Sequence, residues 1–349
     1  MFSHLYFISW FRLSLLGLCN NPSTNGVQSY TNSSGNLIIE DCSFSRSALY
    51  SGKGAVICCD HASTNMTLIR CMFYNCKVSG NSAGAIWFYA YSNGISTLSK
   101  VCGSYCSASS NQYHHFGYFH TGSGQPNIMD FVSICNCPDS SVGEYSFDCN
   151  NGNQRLTNVN SSKNKVVSMS GYSARSPQTL TISYSTFFSN HATSHSCLEI
   201  TDSPSRVLSY SNMISNTNPS RSLIYVTGSN AFSIVSCIFS SNTNCLIESS
   251  ASTVTMNNST IQHSGTISIG SFTNKSNLFT TTPTYVIIHF NSYHCFAENL
   301  DVPSTPSLTP YVGSLPRTYD DNWEYKCSIG LSSYFSIAMI FYLSHVIIE

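Results

Sequence analysis

The chain has 349 residues, of which 42% are hydrophobic and 9% charged, and its formal net charge is −1. The apolar content excludes a disordered chain, and the near-neutral balance excludes an electrostatic footprint for nucleic acid. Charged residues fall far below the roughly 25% of an ordinary soluble domain, so the surface must be built from Ser, Thr, Asn and Tyr.

Residues 1–27 carry two apolar runs, Leu5 to Phe11 and Leu13 to Leu18, separated by Arg12. They read either as a signal-like segment or as an amphipathic cap over the first coil. From residue 28 the chain repeats. Cys42-Ser43-Phe44 is answered by Cys71-Met72-Phe73, and Gly54-Ala55-Val56 by Gly84-Ala85-Ile86. The glycines suit positions of positive φ.

In the second half the period tightens to 26 residues, and Asn164, Asn190, Asn216 and Asn242 fall at equal steps. Leu156, Ile182, Leu208 and Ile234 keep the same step as an apolar column, and Phe187, Met213 and Phe239 form another. Ser185, Ser211 and Cys237 repeat between them. Repeats of this length mean solenoids, propellers or arrays. Two-residue alternation, as in Leu180, Ile182 and Tyr184, argues for strands rather than helices.

The reading is an all-β, right-handed parallel β-helix over residues 28–300, with about nine or ten coils opening near Leu37, Thr67, Thr97, Ile128, Leu156, Leu180, Val207, Ser233 and Val254. Rungs about 4.8 Å apart would make a rod about 45 Å long. The asparagines are expected at tight turns, in the left-handed conformation, with their amides bonded along the axis.

Sixteen cysteines are many for a reduced chain, and eleven precede Asn150. Cys42, Cys71, Cys102 and Cys135 recur at similar places, so neighbouring coils could bridge them as a disulfide ladder or stack them as buried thiols. Asn32, Asn65, Asn160, Asn257, Asn258 and Asn274 each begin an Asn-x-Ser/Thr sequon, which would accept N-linked glycans in a secreted chain.

No paired metal-ligand spacing recurs, and His114, His115 and His120 sit among aromatics, as in a half-exposed strand. Carboxylates are sparse. Asp130, Asp139, Glu144 and Asp148 are the densest group, three of them in a loop-like insertion. No nucleophile elbow, zinc-protease motif or phosphate loop occurs, so neither catalytic residue nor cofactor is assigned.

Residues 301–327, with Pro303, Pro306, Pro310 and Pro316 among Ser and Thr, read as a stalk. Residues 328–348 lack formal charge and are long enough for a transmembrane helix.

Phe187-Phe188-Ser189-Asn190 and Phe239-Ser240-Ser241-Asn242 resemble the Phe-x-x-Asn repeat of polymorphic outer-membrane-type surface proteins, and Ala83-Gly84-Ala85-Ile86 is similar to their Gly-Gly-Ala-Ile repeat. The wider pattern, with Leu98-Ser99-Lys100-Val101-Cys102 and Asn160-Ser161-Ser162-Lys163-Asn164, resembles large right-handed β-helix families of trichomonad protists. The resemblance implies a surface or membrane protein used in adhesion or coat variation. The expected function is therefore a non-enzymatic, surface-displayed protein that binds a host protein or glycan and reaches the membrane through its C-terminal helix. A pectin-lyase-like carbohydrate-active enzyme and a purely structural coat are the alternatives.

Overall fold

The computed structural model describes residues 28–29, 35–40, 42–49, 52–79, 83–109, 114–138 and 143–280. The leader or cap at 1–27, the stalk, the candidate membrane helix and the end of the repeat beyond residue 280 lie outside these residues, as do Asn32 and Asp139. No helix among the described residues is long and apolar enough to cross a membrane.

All described regular structure is strand, and every pairing joins parallel strands of successive turns. The described residues form a parallel β-solenoid of about eight turns, where the sequence reading places nine or ten coils over residues 28–300. One sheet nevertheless holds ten strands, because its first and last members belong to turns that are not fully described. A long sheet of eighteen strands carries two runs of strands side by side.

Alternation builds each rung. Thr179–Ser183 reads exposed, buried, exposed, buried along Thr-Leu-Thr-Ile, so Leu180 and Ile182 enter the core while β-branched threonines face out. Register aligns Leu156, Ile182, Leu208 and Ile234 in one buried column, and Phe187, Met213 and Phe239 in another. Each such side chain removed from water contributes about 1.5–3 kcal/mol.

Two corners repeat with one recipe. A residue takes a left-handed φ, and the next points inward to bond the adjacent rung. At the first corner Tyr184 (φ 50) and Tyr210 (φ 48) precede Ser185 and Ser211. The Ser185 hydroxyl donates to Ser183 O at 2.9 Å and accepts the Val159 N–H at 3.1 Å.

At the second corner the left-handed residues are Lys163, Ser189, Ser215 and Ser241, with φ of 55, 54, 53 and 56. This corrects the expectation for the asparagines next in the chain. Asn164, Asn190, Asn216 and Asn242 are buried. Their side chains must point inward to reach the neighbouring backbone, so the turn falls to the residue before.

The Asn164 N–H donates to Asn190 Oδ1 at 3.1 Å, Asn190 N–H to Asn216 Oδ1 at 3.0 Å and Asn216 N–H to Asn242 Oδ1 at 3.0 Å. Each amide also donates to a carbonyl of the preceding rung, such as Asn190 to Ser161 O at 2.8 Å and Asn216 to Phe187 O at 2.8 Å. Towards the N-terminus the same column continues in cysteine: Cys137 N–H reaches Asn164 Oδ1 at 2.8 Å, and Cys106 N–H reaches Cys137 Sγ at 3.3 Å. The Cys106 and Cys76 thiols donate to Phe73 O and Phe44 O at 3.5 and 3.7 Å. A thiol there takes both roles of the amide.

The expected ladder of Cys42, Cys71, Cys102 and Cys135 is not a single column. Ser43 and Cys102 both align with Met72, so Cys42 falls in register with Cys71, Cys102 lies one residue further on, and Cys135, opposite Ser104, lies two beyond that. Cys71 and Cys135 carry thiols, and Cys42 and Cys102 stand two rungs apart, too far to be bridged to each other. Of the two glycines, Gly54 has positive φ (68), whereas Gly84 is required by close packing, because a Cβ there would collide with the His115 carbonyl.

Candidate functional site on the outer face of the long sheet

The strands Ile57–Asp60, Ile86–Tyr89, His114–His120, Tyr145–Asn150, Tyr172–Arg175, Leu198–Ile200, Ile224–Thr227 and the start of Ile247–Asn257 pair in chain order. Their register forms an outward row of Cys58, Trp87, Tyr118, Asp148, Ser173, Glu199, Tyr225 and Glu248. A second outward row, two residues on, holds Asp60, Tyr89, His120, Asn150 and Arg175.

A β-bulge between His114 and Gly117 shapes the centre. It sends Phe116 inward, where its ring occupies the space a Cβ on Gly103 would need and meets Phe73 edge-on at 6.0 Å. His115 accepts the Ala108 N–H at 3.1 Å inside the turn. His114 is turned to the outer face and stacks on Tyr118 at 4.6 Å and on Tyr145 at 5.2 Å. Bulges commonly re-aim side chains in this way.

Trp87 lies between the Lys53 ammonium, 4.7 Å from its ring, and Tyr118, whose ring centroid is also 4.7 Å away. The Tyr118 hydroxyl bonds His120 Nδ1 at 3.0 Å and accepts from Asn150 Nδ2 at 3.3 Å. Asp148 is fully buried and paired with Arg175. The guanidinium of Arg175 lies over Tyr145 at 5.1 Å and near Tyr118 at 5.8 Å. His114 Nδ1 is 3.7 Å from Asp148 Oδ2, and Ser173 Oγ donates to Glu199 Oε2 at 3.3 Å.

Burial dominates the electrostatics. It raises the Asp148 carboxyl above its usual range, against the pull of Arg175, and likewise raises Glu199 against the Ser173 hydrogen bond. His114 is pushed well below the usual imidazole value by burial and then by Arg175, and His120 is lowered by the same two causes. Burial pushes the Tyr118 phenol up to about 12.

Four polar atoms of this cluster are buried without a hydrogen-bond partner: Trp87 Nε1, His114 Nδ1, Asp148 Oδ1 and Arg175 Nε. Such groups are uncommon in native proteins, and each asks for an explanation. Donor and acceptor orphans stand together here, beside the half-exposed edges of Arg175, Tyr145 and Glu199.

Several expectations change. Asp148 lies in a strand rather than a loop, and Asp130 belongs to the other run of the sheet, opposite Ser99 and Thr157. The strand His114–His120 is buried at six of its seven residues and not half-exposed, and Tyr118, 7% exposed, has both ring faces occupied. Among the described residues no group of three or more His, Cys, Asp or Glu is disposed to hold a metal ion.

The sequons divide. Asn257, Asn258 and Asn274 are exposed, whereas Asn65 donates to Asn36 Oδ1 at 3.0 Å and accepts from Ile95 N–H at 3.2 Å, and Asn160 Oδ1 is buried. Sequence reasoning missed Trp87, Tyr145, Ser173 and Arg175. The available signal was an aromatic or charged residue at an outward strand position where Ser or Thr suffices, as Trp87 and Tyr89 within Ile86–Tyr89.

Comparison with protein-family models, curated proteins and solved structures finds no match to the chain.

Proposed function

We propose that this chain is a non-enzymatic, surface-displayed β-solenoid that binds an uncharged carbohydrate through the outer face around Asp148. The observation that carries the reading is the ion pair Asp148–Arg175, set among Trp87, His114, Tyr118 and Tyr145 with donor and acceptor atoms left over. A buried ion pair is weak as a source of stability, since desolvation offsets its attraction, and a solenoid needs no charge on its outer face. The parallel outward row on the other run, Ile38, Thr67, Thr97, Ile128, Arg155, Thr181, Val207 and Ser233, carries a single charge, Arg155, which is exposed and not buried in an ion pair. Hydroxyl groups, which both donate and accept, suit the half-exposed edges of Arg175, Tyr145 and Glu199 that stand beside the sealed orphan atoms, and the balance of Asp148 by Arg175 disfavours a charged ligand. Surface display draws support from the uncharged composition and the exposed sequons, and a right-handed coil from the preference of parallel crossovers.

Affinity electrophoresis against neutral polysaccharides tests the binding. The protein is expected to be retarded by at least one polymer, Arg175→Ala and Trp87→Ala to lose most of the retardation, and Tyr184→Ala, on a distant corner, to keep it. No retardation by any polymer, or equal retardation of all variants, overturns the reading. Staining of unpermeabilised cells tests display.

One observation favours an enzyme instead. Asp148 and Glu199 share a row two rungs apart, about 9.6 Å between Cα atoms, just beyond the roughly 6.5–9.5 Å that separates the carboxyl groups of inverting glycosidases. Release of reducing ends, abolished by Glu199→Gln, would establish it.

A further inference from the structure

We infer that the ligand is a linear, uncharged polysaccharide lying parallel to the solenoid axis and bridging two separated stations on one row. The inference rests on the proposed carbohydrate binding and extends it to the shape, length and direction of the ligand.

The first station is the cluster around Trp87, Tyr118, Asp148 and Arg175. The second is Tyr225, half-buried, with the Arg221 guanidinium 4.9 Å from its ring. Parallel in-register pairing fixes their relation, since Tyr118, Asp148, Ser173, Glu199 and Tyr225 follow one another on adjacent strands with side chains on the same face. Four rung spacings separate Tyr118 from Tyr225, about 19 Å. No single sugar ring spans that distance. A pyranose unit in an extended chain advances by a length similar to one rung, so four or five consecutive units match the interval.

The interval is polar: the partly buried Glu199 faces it and accepts from the buried Ser173 hydroxyl. Charges along the strip come in opposed groups. Lys53 pairs with Asp60 at 2.7 Å, Arg175 pairs with Asp148, and Arg221 acts on Glu199. An extended polyanion or polycation would meet a repelling charge every few rungs, whereas a neutral chain would not. An extended ligand also suits a surface whose chemistry repeats in one dimension, because each added unit meets the next rung.

The test is a length series. The full chain is titrated calorimetrically with neutral glucose and mannose oligomers of one to eight units and with the corresponding polymers. Affinity is expected to rise with length and level off once a ligand spans both stations, at about five units. Tyr225→Ala should weaken the longest oligomer about tenfold while leaving disaccharide binding unchanged; Arg175→Ala should weaken both. Absence of binding to any oligomer or polymer overturns the carbohydrate reading itself. Binding that is independent of length, or long-oligomer affinity indifferent to Tyr225→Ala, leaves that reading standing and overturns the bridging one. Tyr225→Phe separates the ring from its hydroxyl and guards against misfolding of the alanine variant.

Discussion

At the scale of single residues, the corner column explains what a side chain must do here. Asn190 supplies an acceptor to the Asn164 N–H and a donor to Ser161 O, both buried. Asn190→Ala strands both partners and should lower stability by about 1–3 kcal/mol, read as a drop in unfolding midpoint. Asn190→Cys should cost less, because Cys137, Cys106 and Cys76 occupy equivalent places and their thiols bond the same kinds of backbone group. His114 gives the second prediction. Its imidazole and that of His120 lie below their ordinary value of about 6.5, so the unfolded chain binds more protons than the folded one near that pH. Stability from this source is complete above the ordinary value and falls as pH drops through it. His114→Asn should flatten the acid side of a melting-temperature profile between roughly pH 7 and 5; an unchanged slope refutes the assignment. The neighbours facing His114 are Asp148, Arg175, Tyr118 and Tyr145, and the raised carboxyls act with the opposite sign at lower pH.

At the scale of elements, the bulge in His114–His120 joins the core to the site. Phe116 fills the space over Gly103, and the extra residue that allows this leaves His114 on the outer face. Gly103→Val should destabilise by about 1–3 kcal/mol through overpacking and shift the His114 ring, observable in its NMR resonances. The strands and the buried columns were legible because a period of 26 residues and two-residue alternation are one-dimensional signals. Even Thr67, Thr97, Val207 and Ser233, taken as coil openings, fall in one register. The site was not legible for a reason tied to register. Asp148, Arg175 and Trp87 are far apart in sequence and meet only when turns of unequal length are summed, and a bulge turns Phe116 inward against the alternation that His114, Tyr118 and His120 keep. A similar parity error made four cysteines look like one ladder, and an adjacent left-handed residue made the asparagines look like the turn.

At the scale of the whole solenoid, each turn touches only its neighbours, so stability is a sum of local and interface terms. The pairing distance also changes along the chain, from 29 and 30 residues early on to 26, then 22, then 18 at the last described turn. That last turn exposes Ile269, Leu278 and Phe279. Amide hydrogens of Ser268–Lys275 should therefore exchange well before those of Thr179–Ser183 and Arg206–Ser209, which are covered on both sides. Uniform protection along the chain would contradict the additive picture. The corner column has a mechanical consequence as well. Under tension applied at its ends the molecule should yield as a ratchet, one latch at a time, because each asparagine fastens only the rung beside it. A freed turn of 26 residues releases about 90 Å of slack, so an applied extension is absorbed turn by turn.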